Sequence, residues 1–393
     1  MNLERSADDE AFRVELIAFI EQHAPPEVLQ PRDFEGAAGD AEDEEIIPEW
    51  SRRWQATLFD HGWMIPGYPP EMGGRNATPS QTLVYLEELA ERGIRRSQHF
   101  PGYAIVGPSL LQFGTEEQQA LAPAAIRGDT VWCVGMSEPS AGSDLAGLRT
   151  RGVRDGDHFV VNGQKVWTSY ATVAQKCFCY VRTDPDVPKH EGISVLVVDM
   201  DTPGIEVRPL RHLSGAAEFA EVFLDDVRVP VTNLVGDLND GWRITMGSLA
   251  HERGGLWIQG VAALTRAVDD LADLAHRYDQ AEEGATRRRI AELYERARTV
   301  RALGYKGFAA FARGEAAPEH AFMKMATSEL GKEIYETAME IMGPSGALTG
   351  AEEQGRWQRA FLVSMASTIA AGTSEIQRNI IATRVLGLPR AAG

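Results

Sequence analysis

The spacing of apolar residues changes twice along the chain, and this change constrains the fold more than any other feature of the sequence. From residue 11 to residue 127, apolar residues recur three and four positions apart, as on the buried face of a helix. From residue 128, short runs of β-branched and aromatic residues are typical of strands. Helical spacing returns after Asn239-Asp240-Gly241, a sequence that favours a helix N-cap. We therefore predict three domains: all-α over 1–127, β over 128–238 and all-α over 239–393.

The middle third of the sequence contains five runs that predict strands: 130–134, 158–161, 165–167, 177–181 and 193–198. Asn162-Gly163 lies between two of these runs. This pair favours a two-residue hairpin, because both central positions of a type I′ turn need positive φ. In the first third, the acidic segment 36–45 predicts an exposed loop, because its charges cannot be buried.

Composition limits the kind of partner that the chain can have. A formal net charge of −18 argues against nucleic acid or an anionic membrane, because both need a basic surface. The N-terminus resembles no secretory signal, and no apolar run is long enough to span a membrane. Cys133, Cys177 and Cys179 are too few and too poorly spaced for a disulfide framework or a zinc site. We expect a cytoplasmic protein with buried thiols and no metal ion.

A loop of small and hydroxyl-bearing residues follows the first predicted strand, over residues 135–147. Small side chains let a ligand reach backbone N–H groups, and serine hydroxyls add donors, so this loop suits a flavin edge and a pyrophosphate. By composition alone, an ordinary Ser/Gly turn explains the same residues. The order of the residues in this loop and in other segments separates the two explanations.

Four separated motifs resemble those of acyl-CoA dehydrogenases, in the order that this family has them. They are Gly114-Thr115-Glu116-Glu117-Gln118, Ser137-Glu138 with Gly142-Ser143-Asp144, Trp167-Thr168-Ser169, and Gly372-Thr373-Ser374-Glu375-Ile376-Gln377-Arg378. The resemblance extends over roughly Trp54 to Pro389. It implies an α+β multidomain fold with a helical N-terminal domain, a β-barrel-like middle domain and a four-helix bundle at the C-terminus.

The same resemblance implies FAD as the cofactor. Met136 and Ser137 would lie against the flavin ring, and Trp167 and Ser169 would flank it. Without the motif, Trp167 would be interpreted as a packed strand aromatic. The residues that the resemblance assigns to FAD binding are Met136, Ser137, Gly142, Ser143, Trp167, Ser169, Gly343, Thr373 and Glu375.

The implied reaction removes hydrogens from the α and β carbons of an acyl thioester. It needs a hydride acceptor, a carboxylate that takes the α proton, and donors on the thioester carbonyl. Many relatives carry that carboxylate where this chain has Ala371, whereas a subset carries it before an Arg on the helix that opens the C-terminal domain. The sequence His251-Glu252-Arg253 matches that subset. The resemblance therefore implies Glu252 as the base, Arg253 and Ser143 as substrate contacts, and the backbone N–H of Ala371 as a carbonyl donor.

Two motifs with which the family binds FAD across subunits are altered in this sequence. Arg277 is not followed by Phe-Gly, and Glu340 stands where a Gln is usual. A Glu adds like charge near a phosphate and removes a donor. Arg287-Arg288-Arg289 either supplies replacement charge or forms an exposed basic helix turn.

A glycine pair next to Glu252 bears on the substrate. Each glycine in a helix interior costs about 1 kcal/mol relative to alanine. Gly254-Gly255 therefore favours the close approach of a bulky group, such as a branched or polycyclic acyl chain.

The resemblance also implies partners and leaves two alternatives open. It implies an electron-transferring flavoprotein as electron acceptor and a tetramer of identical or different subunits. One alternative is an acyl-CoA oxidase or flavin monooxygenase-like enzyme of the same fold. The other is a half-site subunit that completes the flavin site of a hetero-oligomeric acyl-CoA dehydrogenase. Reactivity of the reduced flavin with oxygen distinguishes the first alternative from a dehydrogenase. FAD binding by the chain alone distinguishes a complete enzyme from the half-site subunit.

Overall fold

A computed structural model describes most of the chain. The described residues are 5–29, 46–313, 319–348 and 355–389. For 248–257, 259, 311, 312 and 319–321, the description covers the backbone alone. The predicted acidic loop at 36–45 lies outside the described residues.

The chain divides into two compact units. The helical unit takes its residues from Met1–Ala37, Pro79–Arg95 and Arg253–Gly393. The sheet unit takes its residues from Ala38–Thr78 and Arg96–Glu252.

The helical unit is built from α-helices. They are α1 (Ala7–His23), α3 (Pro79–Glu91), α8 (Gly284–Ala312), α9 (Glu319–Met342), α10 (Arg356–Ser367) and α11 (Ser374–Ile380). Helix α7 (Gly241–Arg277) contributes its residues from Arg253 onward. At the start of α1, the Ser6 hydroxyl accepts the backbone N–H of Asp9 at 3.1 Å, and Asp9 accepts the N–H of Ser6 at 3.2 Å. This capping box fixes where α1 begins.

Helices α7, α8, α9 and α10 share one apolar core. Side chains spaced three and four apart on each helix face that core, as helical periodicity predicts. Its buried members include Leu264, Leu271, Leu293, Leu330, Tyr335 and Trp357. The predicted four-helix bundle at the C-terminus is confirmed.

The sheet unit combines helices with one eight-stranded sheet. The helices are α2 (Glu49–Asp60), α4 (Gly107–Phe113), α5 (Glu116–Gln119) and α6 (Ala122–Arg127). The strands are β1 (Trp132–Gly135), β2 (Arg151–Asp155), β3 (His158–Ser169), β4 (Lys176–Arg182), β5 (Ile193–Asp199), β6 (Ile205–Leu210), β7 (Phe219–Pro230) and β8 (Leu234–Val235).

The order of strands in the sheet is β6-β7-β3-β2-β4-β5-β8, and β1 pairs with β4 in parallel. The central long strand β3 pairs antiparallel with both β2 and β7. The loop that follows β1 and the last residues of β3 carry the sheet unit's candidate cofactor residues.

The hairpin predicted at Asn162-Gly163 is wrong, because β3 continues through both residues. The Asn162 side chain donates to Asp226 Oδ1 and accepts the backbone N–H of Asp226, both at 2.9 Å. These bonds accommodate a register shift between β3 and β7 in place of a turn. The tight turn that precedes β3 lies instead at Gly156, whose φ is 62°.

The three cysteines lie in the core of the sheet unit as free, buried thiols. Cys133 is the register partner of Cys177, and Cys179 follows on the same strand. This agrees with the expectation of buried thiols. Among the helices in the described part of the chain, none is long and apolar enough to cross a membrane.

Candidate active site

The loop between β1 and β2 folds into a tight turn with an open rim. Glu138 and Ala141 exchange backbone hydrogen bonds of 3.1 and 3.0 Å. The residues that follow, Gly142 and Ser143, are exposed. A Cβ atom added at Gly142 would meet no atom within 4 Å. A ligand can therefore approach the backbone at this rim, as the motif predicts.

The carboxylate of Glu138 holds the two ends of this loop together. It accepts the backbone N–H groups of Arg149 at 2.6 Å and Thr150 at 2.9 Å. It also accepts a hydrogen bond from Lys165 at 2.8 Å, and both side chains are buried. Burial alone would raise the pKa of Glu138, but the charge of Lys165 and these hydrogen bonds lower it below the ordinary value for Glu. Glu138 is therefore held as a buried anion.

The second half of the loop is held by Arg182 and Lys189. Arg182 donates to the carbonyl oxygens of Ala146 at 2.5 Å and Lys189 at 2.7 Å. Lys189 in turn binds both carboxylate oxygens of Asp144, at 2.7 and 2.8 Å. The Asp of the Gly-Ser-Asp motif therefore shapes the loop from an exposed position.

Trp167 combines an exposed aromatic side chain with an unusual backbone conformation. Its φ is 58°, and it lies at an irregularity in the pairing of β3 with β7. Trp167 is 57% exposed. Its ring makes an edge contact with Phe219, with centroids 5.9 Å apart. A left-handed conformation is costly for a bulky residue and is concentrated at functional sites. The packed-core interpretation of Trp167 is excluded by this exposure, and half-buried Ser169 lies two residues beyond it.

Tyr170 anchors the segment that carries Trp167 and Ser169. Its φ is 63°, and its hydroxyl donates to the carbonyl oxygen of Gln98. Its ring makes an edge contact with His99 at a centroid distance of 5.2 Å. The imidazole of His99 is buried, lies 2.8 Å from the carbonyl oxygen of Trp132, and has its pKa lowered by burial to about 4. A neutral, packed histidine therefore supports the segment that carries Trp167 and Ser169.

In the helical unit, the segment before α11 has an unusual backbone. Ala371 has a φ of 53° and Gly372 a φ of 91°. Lys324 donates to the carbonyl oxygen of Gly372 at 2.8 Å, and Gln377 donates to that of Ala371 at 3.2 Å. Among the hydrogen bonds of the described residues, none has the backbone N–H of Ala371 as its donor. That N–H suits the donor role that the resemblance implies.

Of the remaining C-terminal candidates, Gly343 and Glu375 are exposed and Thr373 is half-buried. The Thr373 hydroxyl caps α11 by accepting the N–H of Ile376 at 3.2 Å. Glu375 lies in the first turn of α11, 3.6 Å from Arg378. Gly343 follows α9 with a φ of 54°.

The basic turn at the start of α8 binds carboxylates of its own unit. Arg287 pairs with Glu282 at 3.0 Å, and Arg289 pairs with Glu333 at 3.0 Å. This arrangement favours the interpretation of an exposed basic turn over a replacement phosphate site. Both altered family positions, Arg277 and Glu340, lie in the last turns of α7 and α9.

Glu252 and Arg253 lie on α7, whose helical backbone continues unbroken through Gly254-Gly255. The side chains of Glu252 and Arg253, and hence the predicted base, lie outside the described residues. The structure brings Ser137 and Val166, the neighbour of Trp167, together through a backbone hydrogen bond of 2.9 Å.

Sequence reasoning missed three residues that shape the sheet unit's candidate site: Glu138 as an anion clamp, Lys165 as its partner, and Tyr170. One signal was available for Lys165. It occupies an inward position of an alternating strand, where a charged side chain needs a buried partner.

Sequence profiles of all three parts of acyl-CoA dehydrogenases match this chain. The N-terminal domain profile matches residues 6–129, the middle domain profile 133–227 and the C-terminal domain profile 239–386. These matches confirm the resemblance that the four motifs carry.

Individual relatives match over almost the whole length. Acyl-CoA dehydrogenase IpdE1 of Mycobacterium tuberculosis is 36% identical, over 98% of this chain and 99% of the relative. Two solved structures each cover 100% of both chains. The Tcur3481-Tcur3483 steroid ACAD has a TM-score of 0.84 at 31% identity. The ChsE4-ChsE5 complex from Mycobacterium tuberculosis has a TM-score of 0.80 at 30% identity. The chain therefore belongs to the acyl-CoA dehydrogenase family and is an oxidoreductase.

Proposed function

We propose that this protein uses FAD to dehydrogenate an acyl-CoA thioester across its α and β carbons, giving the 2-enoyl-CoA. The observation that carries the proposal is the exposed Trp167, held at positive φ beside a loop with an open backbone rim. Family membership indicates the class of reaction, and Trp167 with the neighbouring loop offers a surface that fits a flavin.

The residues present fit FAD in shape and in donors. The exposed Trp167 ring offers an apolar face for stacking on an aromatic ring system. Ser137, whose carbonyl oxygen accepts the N–H of Val166, and Ser169, two residues after Trp167, are half-buried hydroxyl donors. Exposed Ser143 follows Gly142 at the open rim. Bound FAD would supply the acceptor for the hydride that leaves the β carbon.

Two groups of the chain would act on the α carbon and the carbonyl of the thioester. In our proposal, Glu252 takes the α proton, and the backbone N–H of Ala371 donates to the thioester carbonyl. A thioester α proton is too weakly acidic to be removed unless the developing enolate oxygen is stabilised, so this donor matters as much as the base. Arg253 and Ser143 complete the proposed substrate contacts.

A branched or polycyclic acyl group is the proposed substrate class. Gly254 and Gly255 place no side chain at two positions of α7, directly after Glu252-Arg253. Support also comes from the similar Tcur3481-Tcur3483 protein, which is named a steroid ACAD.

We further propose a tetramer that pairs this chain with a different subunit and passes electrons to an electron-transferring flavoprotein. Support comes from the similar ChsE4-ChsE5 complex and from the altered positions Arg277 and Glu340. Since Arg287 and Arg289 are engaged by Glu282 and Glu333, they offer little free charge for a partner's phosphate. These ion pairs therefore also favour the alternative in which this chain is a half-site subunit of a hetero-oligomeric acyl-CoA dehydrogenase.

The proposed function is tested by anaerobic titration of the protein, purified alone and with a co-expressed partner subunit, with straight, branched and polycyclic acyl-CoAs. We expect loss of the oxidised flavin absorbance with bulky acyl-CoAs, and reoxidation by electron-transferring flavoprotein faster than by oxygen. Rapid peroxide formation would establish the oxidase alternative. A flavin that dithionite reduces but no acyl-CoA reduces would contradict the proposal.

A further inference from the structure

Lys165 carries a charge inside the sheet unit, which is costly unless it is matched. Its side chain is 1% exposed, and that of Glu138 is 5% exposed. The free-energy cost of desolvating two such groups is offset only when they lie close together and make further hydrogen bonds. Their Nζ–Oε1 distance is 2.8 Å, and Nζ also donates to the carbonyl oxygen of Met136 at 3.2 Å.

The fold makes room for the aliphatic stem of Lys165. A small cavity in the sheet unit is lined by Lys165 and by apolar or small residues, among them Gly135, Cys177 and Val222. A Cβ atom at Gly135 would lie 3.4 Å from Lys165 Cγ and 3.1 Å from Cys177 Sγ. The stem therefore packs in an apolar interior while its ammonium group reaches the loop.

The pair joins three separate segments of chain. Lys165 lies on β3, two residues before Trp167. Met136 and Glu138 begin the loop after β1, and the N–H groups that Glu138 accepts, from Arg149 and Thr150, end it. Both ends of the loop are thus fastened to the strand that carries Trp167.

We propose that the buried Lys165–Glu138 ion pair fixes the position of the loop 136–150 relative to Trp167. The loop and Trp167 together then form the surface that binds the flavin. The inference rests on the proposed function, since it assigns a role toward FAD. Lys165 and Glu138 are positioning residues, because they act through Met136, Arg149 and Thr150.

The test compares Lys165→Met, Glu138→Gln and the double variant Lys165→Met/Glu138→Gln with wild type. Lys176→Met is the matched control, because Lys176 pairs with Asp199 on neighbouring strands of the same sheet but is partly exposed. Two quantities are measured: hydrogen–deuterium exchange of the loop 136–150 in FAD-free protein, and the FAD dissociation constant.

We expect Lys165→Met to speed exchange in this loop and to weaken FAD binding about tenfold or more, since one buried charge then lacks its partner. The double variant should recover part of both losses, because it removes the unpaired charge. Lys176→Met should match wild type. If Lys165→Met does not fold, the double variant and Glu138→Gln carry the same comparison.

A purely structural role would lower the unfolding midpoint and leave the bound flavin unaltered. The visible spectrum and reduction potential of FAD-saturated variants decide this, and we expect both to shift in Lys165→Met. Unchanged loop exchange, FAD affinity and flavin spectrum would overturn the inference. Absence of FAD binding by wild type, with or without a partner subunit, would instead overturn the proposed function.

Discussion

Glu252 is the residue on which the proposed chemistry depends. Replacement by Gln keeps the size of the side chain and removes the base. We expect Glu252→Gln to retain FAD and to reduce its flavin about 10²- to 10⁴-fold more slowly, the usual contribution of a general base. Stopped-flow absorbance with a verified acyl-CoA measures this rate. Flavin reduction at the wild-type rate would make the assignment wrong.

Ala371 provides the matching gain-of-function variant. Many relatives carry their base at this position, and Ala371 is exposed with a φ of 53°. Installing a carboxylate there, as Ala371→Glu in the Glu252→Gln background, should restore part of the flavin reduction. Complete absence of recovery in a folded, FAD-bound variant would argue that the two positions do not reach the same α carbon.

His99 makes stability depend on pH. Burial lowers its pKa from 6.5 to about 4. The unfolded chain therefore binds more protons than the folded protein between these values, and stability is lost as the pH falls through this window. From about pH 7 to about pH 5 this loss is about 2 kcal/mol. His99→Gln should lose less stability by that amount in guanidinium unfolding, and an equal loss in both proteins would refute the prediction.

At the scale of residues, the sequence predicts side chains that belong to local motifs and misses those that depend on distant pairing. Ser137, Gly142 and Trp167 are recognisable because the motif is contiguous. The role of Lys165 depends on a loop 27 positions away, and that of Tyr170 on a carbonyl 72 positions away. No local pattern encodes those contacts.

Among the elements, the long helices are predicted well and the sheet only in part. Helices have one apolar stripe that the sequence displays directly, as in α2 and α3. β2, β6 and β7 were missed because exposed charged residues dilute their apolar alternation. The Asn162-Gly163 error has a related cause, since a turn signal cannot reveal that Asp226 satisfies the Asn side chain.

Gly102 tests the packing of one element against another in the sheet unit. A Cβ atom there would lie 2.3 Å from the carbonyl oxygen of Ala125, on α6. Gly102→Ala should therefore destabilise the protein by about 1–3 kcal/mol, the usual cost of overpacking. Gly284→Ala is the control, because a Cβ atom there meets nothing within 4 Å. Equal unfolding midpoints in guanidinium for the two variants would contradict this account of the packing.

For the whole molecule, the order of helical, strand-rich and helical segments predicted the fold class. The division into domains at residues 128 and 239 follows element type and stays a prediction, whereas the compact units group Pro79–Arg95 with the C-terminal helices. Such grouping depends on contacts between helices far apart in sequence. One of them is the hydrogen bond from Tyr305 on α8 to Glu87 on α3.

The proposed reaction removes hydrogen from both the α and the β carbon of an acyl-CoA. A single anaerobic turnover with an acyl-CoA deuterated at both carbons tests it most directly, with the product analysed by mass spectrometry. We expect a 2-enoyl-CoA that has lost one deuterium from each carbon, with the flavin reduced in the same turnover. A reduced flavin with both carbons fully deuterated, or an oxygenated product on admission of air, would contradict it.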